Sequence, residues 1–132
     1  MRKNFKKTII EAVMRKEHRD PDYSDIIGKL VNCKMDRPLG STHPRFPQMV
    51  YPVNYGYVEG IFAGDGAEQD IYLLGINEPV EEYFGRVVAV YHRLNDNEDK
   101  WIVVPDGYEI TEKEILDQIS FQERFFEGEL YM

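Results

Sequence analysis

Apolar and polar positions alternate along the stretch KLVNCKMD, with Val31, Cys33 and Met35 on one side. Period-two alternation predicts a strand that ends at Asp36. Further on, IYLLGI is a short apolar strand, and GRVVAVYHR and KWIVVP are two β-rich runs separated by the acidic loop LNDNED. They read as a hairpin or as neighbouring strands. A different period governs the two ends. Phe5, Ile9 and Val13 recur four residues apart among lysines and arginines, which predicts an amphipathic helix. TEKE at Thr111–Glu114 matches a capping box, and Ile115, Leu116, Ile119 and Phe126 continue it as a helical stripe. RPLGSTHPRFPQ, with three prolines and a glycine, is a loop. The order is helix, short strands with long loops, then helix. It predicts one domain over residues 1–132, of mainly β character: a small barrel with helices at its side.

Composition narrows the class. The 132 residues are 42% hydrophobic and 30% charged, as expected of a globular chain. No run approaches membrane-spanning length and the start has no apolar signal core, so a cytoplasmic location is expected. A single cysteine, Cys33, rules out an internal disulfide, and its place in the alternation predicts a small core residue. The net charge of −8 divides unevenly: residues 1–20 carry +4 and the rest −12. The acidic part repels nucleic-acid backbones and anionic membranes. An anionic substrate therefore needs cations as mediators. The basic helix reads as a solvated face packed on an acidic body, with docking on an acidic partner as the rival.

Candidate chemistry concentrates in three acidic places. Asp65 and Asp70 flank GAEQ, where Gly64 and Gly66 permit tight backbone, so both carboxylates can converge on a hard cation such as Mg²⁺ or Mn²⁺. Asp65-Gly66 is equally an ordinary hairpin turn. NDNEDK adds Asp96, Glu98 and Asp99 before Lys100, and Asp36 ends the first strand. Carboxylates for metals, with arginine, lysine and tyrosine for phosphate oxygens, are what a metal–phosphate site requires. His43 reads as a loop histidine, His92 as a structural strand residue and Trp101 as core.

The segment YPVNYGYVEG followed by GDGAEQD resembles the signature of the soluble family-one inorganic pyrophosphatases: Tyr-Pro-x-Asn-Tyr-Gly, then a turn of the form Asp-Gly-Asp-Pro-x-Asp. VAVYHRLNDNEDKWIVVP resembles their next block. The likeness covers roughly Cys33 to Pro105. It implies an OB-like β-barrel with flanking N- and C-terminal helices, and Mg²⁺-dependent hydrolysis of a phosphoanhydride without a covalent intermediate. It implies metal ligation by Asp65, Asp70, Glu98, Asp96 and Asp36. Asp65, Asp70, Tyr55 and Lys100 would be catalytic, and Tyr51, Tyr55, Arg45 and Lys100 would contact the substrate. Expected partners are a small phosphorylated molecule and, as an open alternative, a second copy of the chain.

The chain also departs from the pattern. Ala67 stands where the family's middle turn aspartate would be, with Glu68 next door. The hairpin after the first strand is replaced by STHPRFPQ, and the late Tyr-Lys pair is missing from SFQERFFEGEL. Two rivals follow: the same site acting on a larger phosphoanhydride or phosphate ester, and a metal- or phosphate-binding module without catalysis.

Overall fold

The computed structural model describes residues 22–132. The expected N-terminal helix around Phe5, Ile9 and Val13 lies outside them. Six strands and one helix follow in order: β1 (Leu30–Arg37), β2 (Asn54–Phe62), β3 (Glu68–Leu73), β4 (Glu82–Arg93), β5 (Asp99–Val104), α1 (Glu112–Glu123) and β6 (Gly128–Tyr131). The strands hydrogen-bond in the order β1-β2-β3-β5-β4-β6, and β1 also pairs with β4. Five strands therefore close into a ring, with β6 attached outside it to β4. All pairings are antiparallel except β3 with β5. This is the expected mainly-β, OB-like barrel, with the expected C-terminal helix at its side.

Side-chain alternation sorts the strands' residues onto two surfaces. One set, Val31, Cys33, Met35, Val58, Ile71, Leu73, Val87, Val90, Trp101 and Val103, fills the barrel. Tyr23 and Tyr131 pack ring to ring beside it, centroids 5.5 Å apart. Cys33 is fully buried there, and desolvation pushes its thiol up to about 12. The intervening set, Tyr55, Tyr72, Leu74, Ile102 and Val104, points outward and is covered by Ile115 and Ile119 of α1. This second layer explains why β5 is apolar at both parities: each of its faces meets a core.

Two strands escaped the sequence pattern. β2 runs through the tyrosine-rich signature, whose residues are largely architectural. A Cβ at Gly56 would collide with the Lys34 carbonyl oxygen of β1, so only glycine lets the two strands pair so closely. Asn54 is fully buried. Its amide oxygen accepts from the Leu39 and Val80 backbone N–H groups at 2.9 and 3.2 Å, and its amide nitrogen donates to the Glu78 carbonyl at 3.0 Å. It ties two loops to the barrel. β6 is only four residues long and carries a glycine and a glutamate. The capping box is present as expected: Thr111 Oγ1 accepts from Glu114 N, and Thr111 N donates to Glu114 Oε1. The stripe is shorter than expected. Leu116 is exposed, and Phe126 lies past the helix end at Arg124.

Candidate active site

The parallel pair positions the central charges. Ile71 is opposite Trp101, which sets Asp70 and Lys100 side by side on the outward surface one residue earlier. Lys100 Nζ bonds Asp70 Oδ2 at 2.6 Å and Glu98 Oε1 at 2.9 Å. The lysine is 3% exposed. Burial works against its ammonium, but Tyr55 and the two carboxylates outweigh it and hold its pKa above the ordinary lysine value. Tyr55, at the start of β2, turns its ring toward Lys100, with the ammonium 5.8 Å from the ring centroid. Desolvation, with Asp70 close by, keeps that phenol protonated well above its usual range.

Two cavities meet at this cluster, and Asp70 and Glu98 line both. The smaller, about 320 Å³, is walled by acids: Asp65, Glu68, Asp70, Asp96, Glu98 and Asp99. The larger, about 910 Å³, is entered by cations: Arg37, Arg93, Lys100 and Arg124, with Tyr55 beside them. A buried polar relay holds two of those cations. Arg93 makes a paired contact to Glu123 of α1, Nε to Oε1 and Nη2 to Oε2, both 2.8 Å. Tyr72 donates to Glu123 Oε2 at 2.5 Å, Gln122 Nε2 donates to the Tyr72 oxygen at 2.7 Å, and Tyr51 donates to Gln122 Oε1 at 3.0 Å. Arg37 Nη1 closes the series by donating to the Tyr51 oxygen at 2.9 Å. Burial opposes the charge on Arg93, but Glu123 overrides it and raises its pKa. Tyr72 is raised too, by burial and then by the Glu123 carboxylate.

The same architecture occurs in solved structures. An inorganic pyrophosphatase from Ehrlichia chaffeensis is similar with a TM-score of 0.63 at 21% identity, over 85% of this chain and 91% of that one. One from Neisseria gonorrhoeae has a TM-score of 0.57 at 21% identity, over 76% and 79% of the two chains. One from Thermus thermophilus has a TM-score of 0.56 at 17% identity, over 85% and 84%. The chain has the inorganic pyrophosphatase fold. No protein-family model matches it, and no curated protein matches it in sequence.

Within this pyrophosphatase fold the expected site residues separate. Asp70, Glu98, Lys100 and Tyr55 come together. Asp65 and Asp96 reach the acidic cavity but are engaged locally. Asp65 Oδ1 accepts from Ala67 N at 3.0 Å, shaping the β2–β3 turn, where Gly66 has φ 88°. Asp96 bonds Arg93 at 3.2 Å and caps Glu98 N at 3.1 Å. Asp36 lines neither cavity, although it is near enough to Asp70 to feel its charge: partial desolvation and Asp70 raise its pKa against the pull of Arg37.

Two expected substrate contacts are not brought to the cluster. Tyr51 is fully buried and serves the relay, and Arg45 does not line the cavity. A cation that does line it is Arg37, from the irregular end of β1. Glu68, beside Ala67, lines the acidic cavity. Its Oε2 accepts from Gly60 N at 2.9 Å. His92, in β4, has Nδ1 2.6 Å from Asp99 Oδ1, which also accepts from the Tyr23 hydroxyl.

Among the described residues, no three acidic, histidine or cysteine side chains converge closely enough to ligate a metal as they stand. The donor chemistry nevertheless suits Mg²⁺, which is commonly held by one or two carboxylates with water and substrate phosphate completing the shell. Asp70 and Glu98 already converge on one cation, the Lys100 ammonium. Asp65 and Asp96 line the same small cavity behind them.

Proposed function

We propose that this protein is a Mg²⁺-dependent hydrolase of phosphoanhydrides, with inorganic pyrophosphate as the reference substrate. The observation that carries the reading is the junction of an acid-walled cavity with a cation-entered one at Asp70, Lys100 and Glu98. Phosphate-ester and anhydride hydrolysis needs both halves within reach of one phosphorus atom.

Asp70 and Glu98 would hold the metal, assisted by Asp65 and Asp96. Bound there, Mg²⁺ would lower the pKa of a coordinated water and neutralise phosphate oxygens. The chain's own groups do the rest. The Lys100 ammonium, which gives two of its three donors to Asp70 and Glu98, would offer the third to the substrate. Tyr55 remains a neutral phenol and donates a hydrogen bond to a phosphate oxygen. Arg37, anchored by its bond to the Tyr51 oxygen, offers its remaining donors to the far phosphate. Arg93 and Glu123 stiffen the floor on which these groups stand. No side chain here needs to form a covalent intermediate.

Colorimetric phosphate release from pyrophosphate, with and without Mg²⁺, tests the reading. Expected are hydrolysis only with the metal, and losses of roughly tenfold or more in Tyr55→Phe and Lys100→Ala, the scale of one well-placed or charge-assisted hydrogen bond. Millimolar Mg²⁺ should also raise Tm in the parent and in both variants, but not in Asp70→Asn. A Tm unmoved by Mg²⁺, together with no phosphate release, overturns the proposal. Ala67 in the turn and the engaged state of Asp65 favour a second reading, phosphate and metal binding without turnover. A metal-dependent Tm shift with no hydrolysis of any phosphoanhydride would select it.

A further inference from the structure

Besides its cations, the larger cavity is lined by rings. Phe121 packs edge-on against Tyr51 at 5.2 Å, and Phe126 lies 3.7 Å beneath the Arg93 guanidinium. Phe125 carries the Arg124 guanidinium at 5.0 Å, and Phe46 leans on His43 at 5.0 Å. Phe46 and Phe125 are 56% and 63% exposed. The loop bearing Phe46 is held in shape. Thr42 bridges Val50, His43 N donates to the Met49 carbonyl at 2.9 Å, and His43 Nδ1 accepts from Arg45 N and Phe46 N at 3.0 and 3.3 Å. The ring is therefore presented by its own backbone scaffold. A volume of about 910 Å³ lies near the top of the range of roughly 300–1,000 Å³ typical of sites for organic ligands.

Inorganic pyrophosphate fits only part of this cavity. It consists of two phosphorus and seven oxygen atoms and has no apolar surface to place against a phenyl ring. The cavity is amphiphilic: Arg37, Lys100 and Tyr55 line it together with the exposed rings of Phe46 and Phe125. A ligand that satisfies both kinds of lining must be amphiphilic as well.

We propose that the ligand of this site is a diphosphate monoester: its diphosphate is held by Lys100, Arg37 and Tyr55, and its organic group covers Phe46 and Phe125. The assignment relies on the hydrolase reading for the reaction but not for the binding. In the reaction, a water oxygen bonds to the terminal phosphorus as the bridging P–O bond breaks, and the electron pair of that bond stays with the departing organic monophosphate. Inorganic phosphate is the second product, and the remaining water proton goes to solvent. A planar nucleoside and an aliphatic chain share the required chemistry, an apolar face joined to a diphosphate.

Calorimetric titration of the full chain in Mg²⁺ with pyrophosphate, ADP and geranyl diphosphate tests the assignment, and phosphate release is measured for the same three compounds. At least one organic diphosphate is expected to bind roughly tenfold or more tighter than pyrophosphate, the scale of filling an apolar pocket. Phe46→Ala and Phe125→Ala should each reduce that affinity ratio. Both rings are exposed, so their removal opens no hole in a core. Which organic compound binds tighter identifies the source of the apolar group. Pyrophosphate binding as tightly as both organic compounds overturns the assignment, as does an affinity ratio unchanged in both variants. Hydrolysis of pyrophosphate without an organic preference leaves the hydrolase reading standing and removes this one. A retained organic preference without hydrolysis of any of the three does the reverse.

Discussion

The inward and outward faces of β3 and β5 differ in kind. Inward, Ile71, Leu73, Trp101 and Val103 meet other apolar side chains. Outward, only one residue away along the same strands, Asp70 and Lys100 form an ion pair, and Tyr72 opens a buried relay to Glu123 and Arg93. The inner face has one task, removal of apolar area from water, and many side chains of suitable volume accomplish it. The outer face buries charge, which is tolerated only when every group is partnered. Among the described residues, no buried side-chain nitrogen or oxygen lacks a hydrogen-bond partner. The lesson is that one set of strands can divide stability and chemistry between its two faces, and the polar face is the less forgiving.

Substitutions can break this contrast. The largest effect is expected from Glu123→Ala, which takes the paired carboxylate from the buried Arg93 guanidinium and leaves it the 3.2 Å contact to Asp96. Urea unfolding should show a loss of ~3–5 kcal/mol. Adding Arg93→Met to it should recover much of that loss, because the poorly paired charge is then gone. A loss well under ~1 kcal/mol in the single variant would mean that water reaches Arg93 and that the face is not sealed. Next is Leu73→Ala on the inner face, expected to cost about 3 kcal/mol through lost burial and a residual cavity. It sharpens the contrast because the Mg²⁺-dependent rise in Tm should persist in it. Were that rise to vanish, the two faces would be coupled rather than divided. Smallest is Tyr72→Phe, which takes one donor from Glu123 and one acceptor from Gln122. A cost of about 2 kcal/mol is expected for a bond to a charged group, measured by the same unfolding titration.

What the chain discloses in one dimension follows from how local each feature is. β1, β4 and β5 are legible because burial on one or both faces leaves a periodic trace. The helix start is legible because a capping box is complete within four residues. β2 is hidden because Gly56 and Asn54 answer to close strand approach and loop anchoring, which break the expected pattern. In the site, Asp70, Glu98, Tyr55 and Lys100 are findable through a motif. Arg93 and Glu123 are not: thirty residues separate them, and neither HRLND nor FQERFF marks its partner. Arg45 is the cation nearest the replaced hairpin in sequence, whereas the one that lines the larger cavity is Arg37. Its actual position depends on the register shift between Met35 and Arg37, a property of strand pairing and not of sequence neighbours.

The one parallel pairing has a consequence for the order of assembly. Hairpins such as β1–β2 and β2–β3 can form from neighbouring chain, whereas β3 must wait for β5, with β4 between them in sequence and paired to both β1 and β5. Such non-local closure is slow, because chain entropy is surrendered before contacts repay it. Asp70 and Lys100 face each other only across that last seam. The junction of the two cavities and the finished barrel should therefore appear in the same kinetic step, and, on the proposed function, a dye-labelled phosphate analogue added to refolding chains would time the closing of the ring.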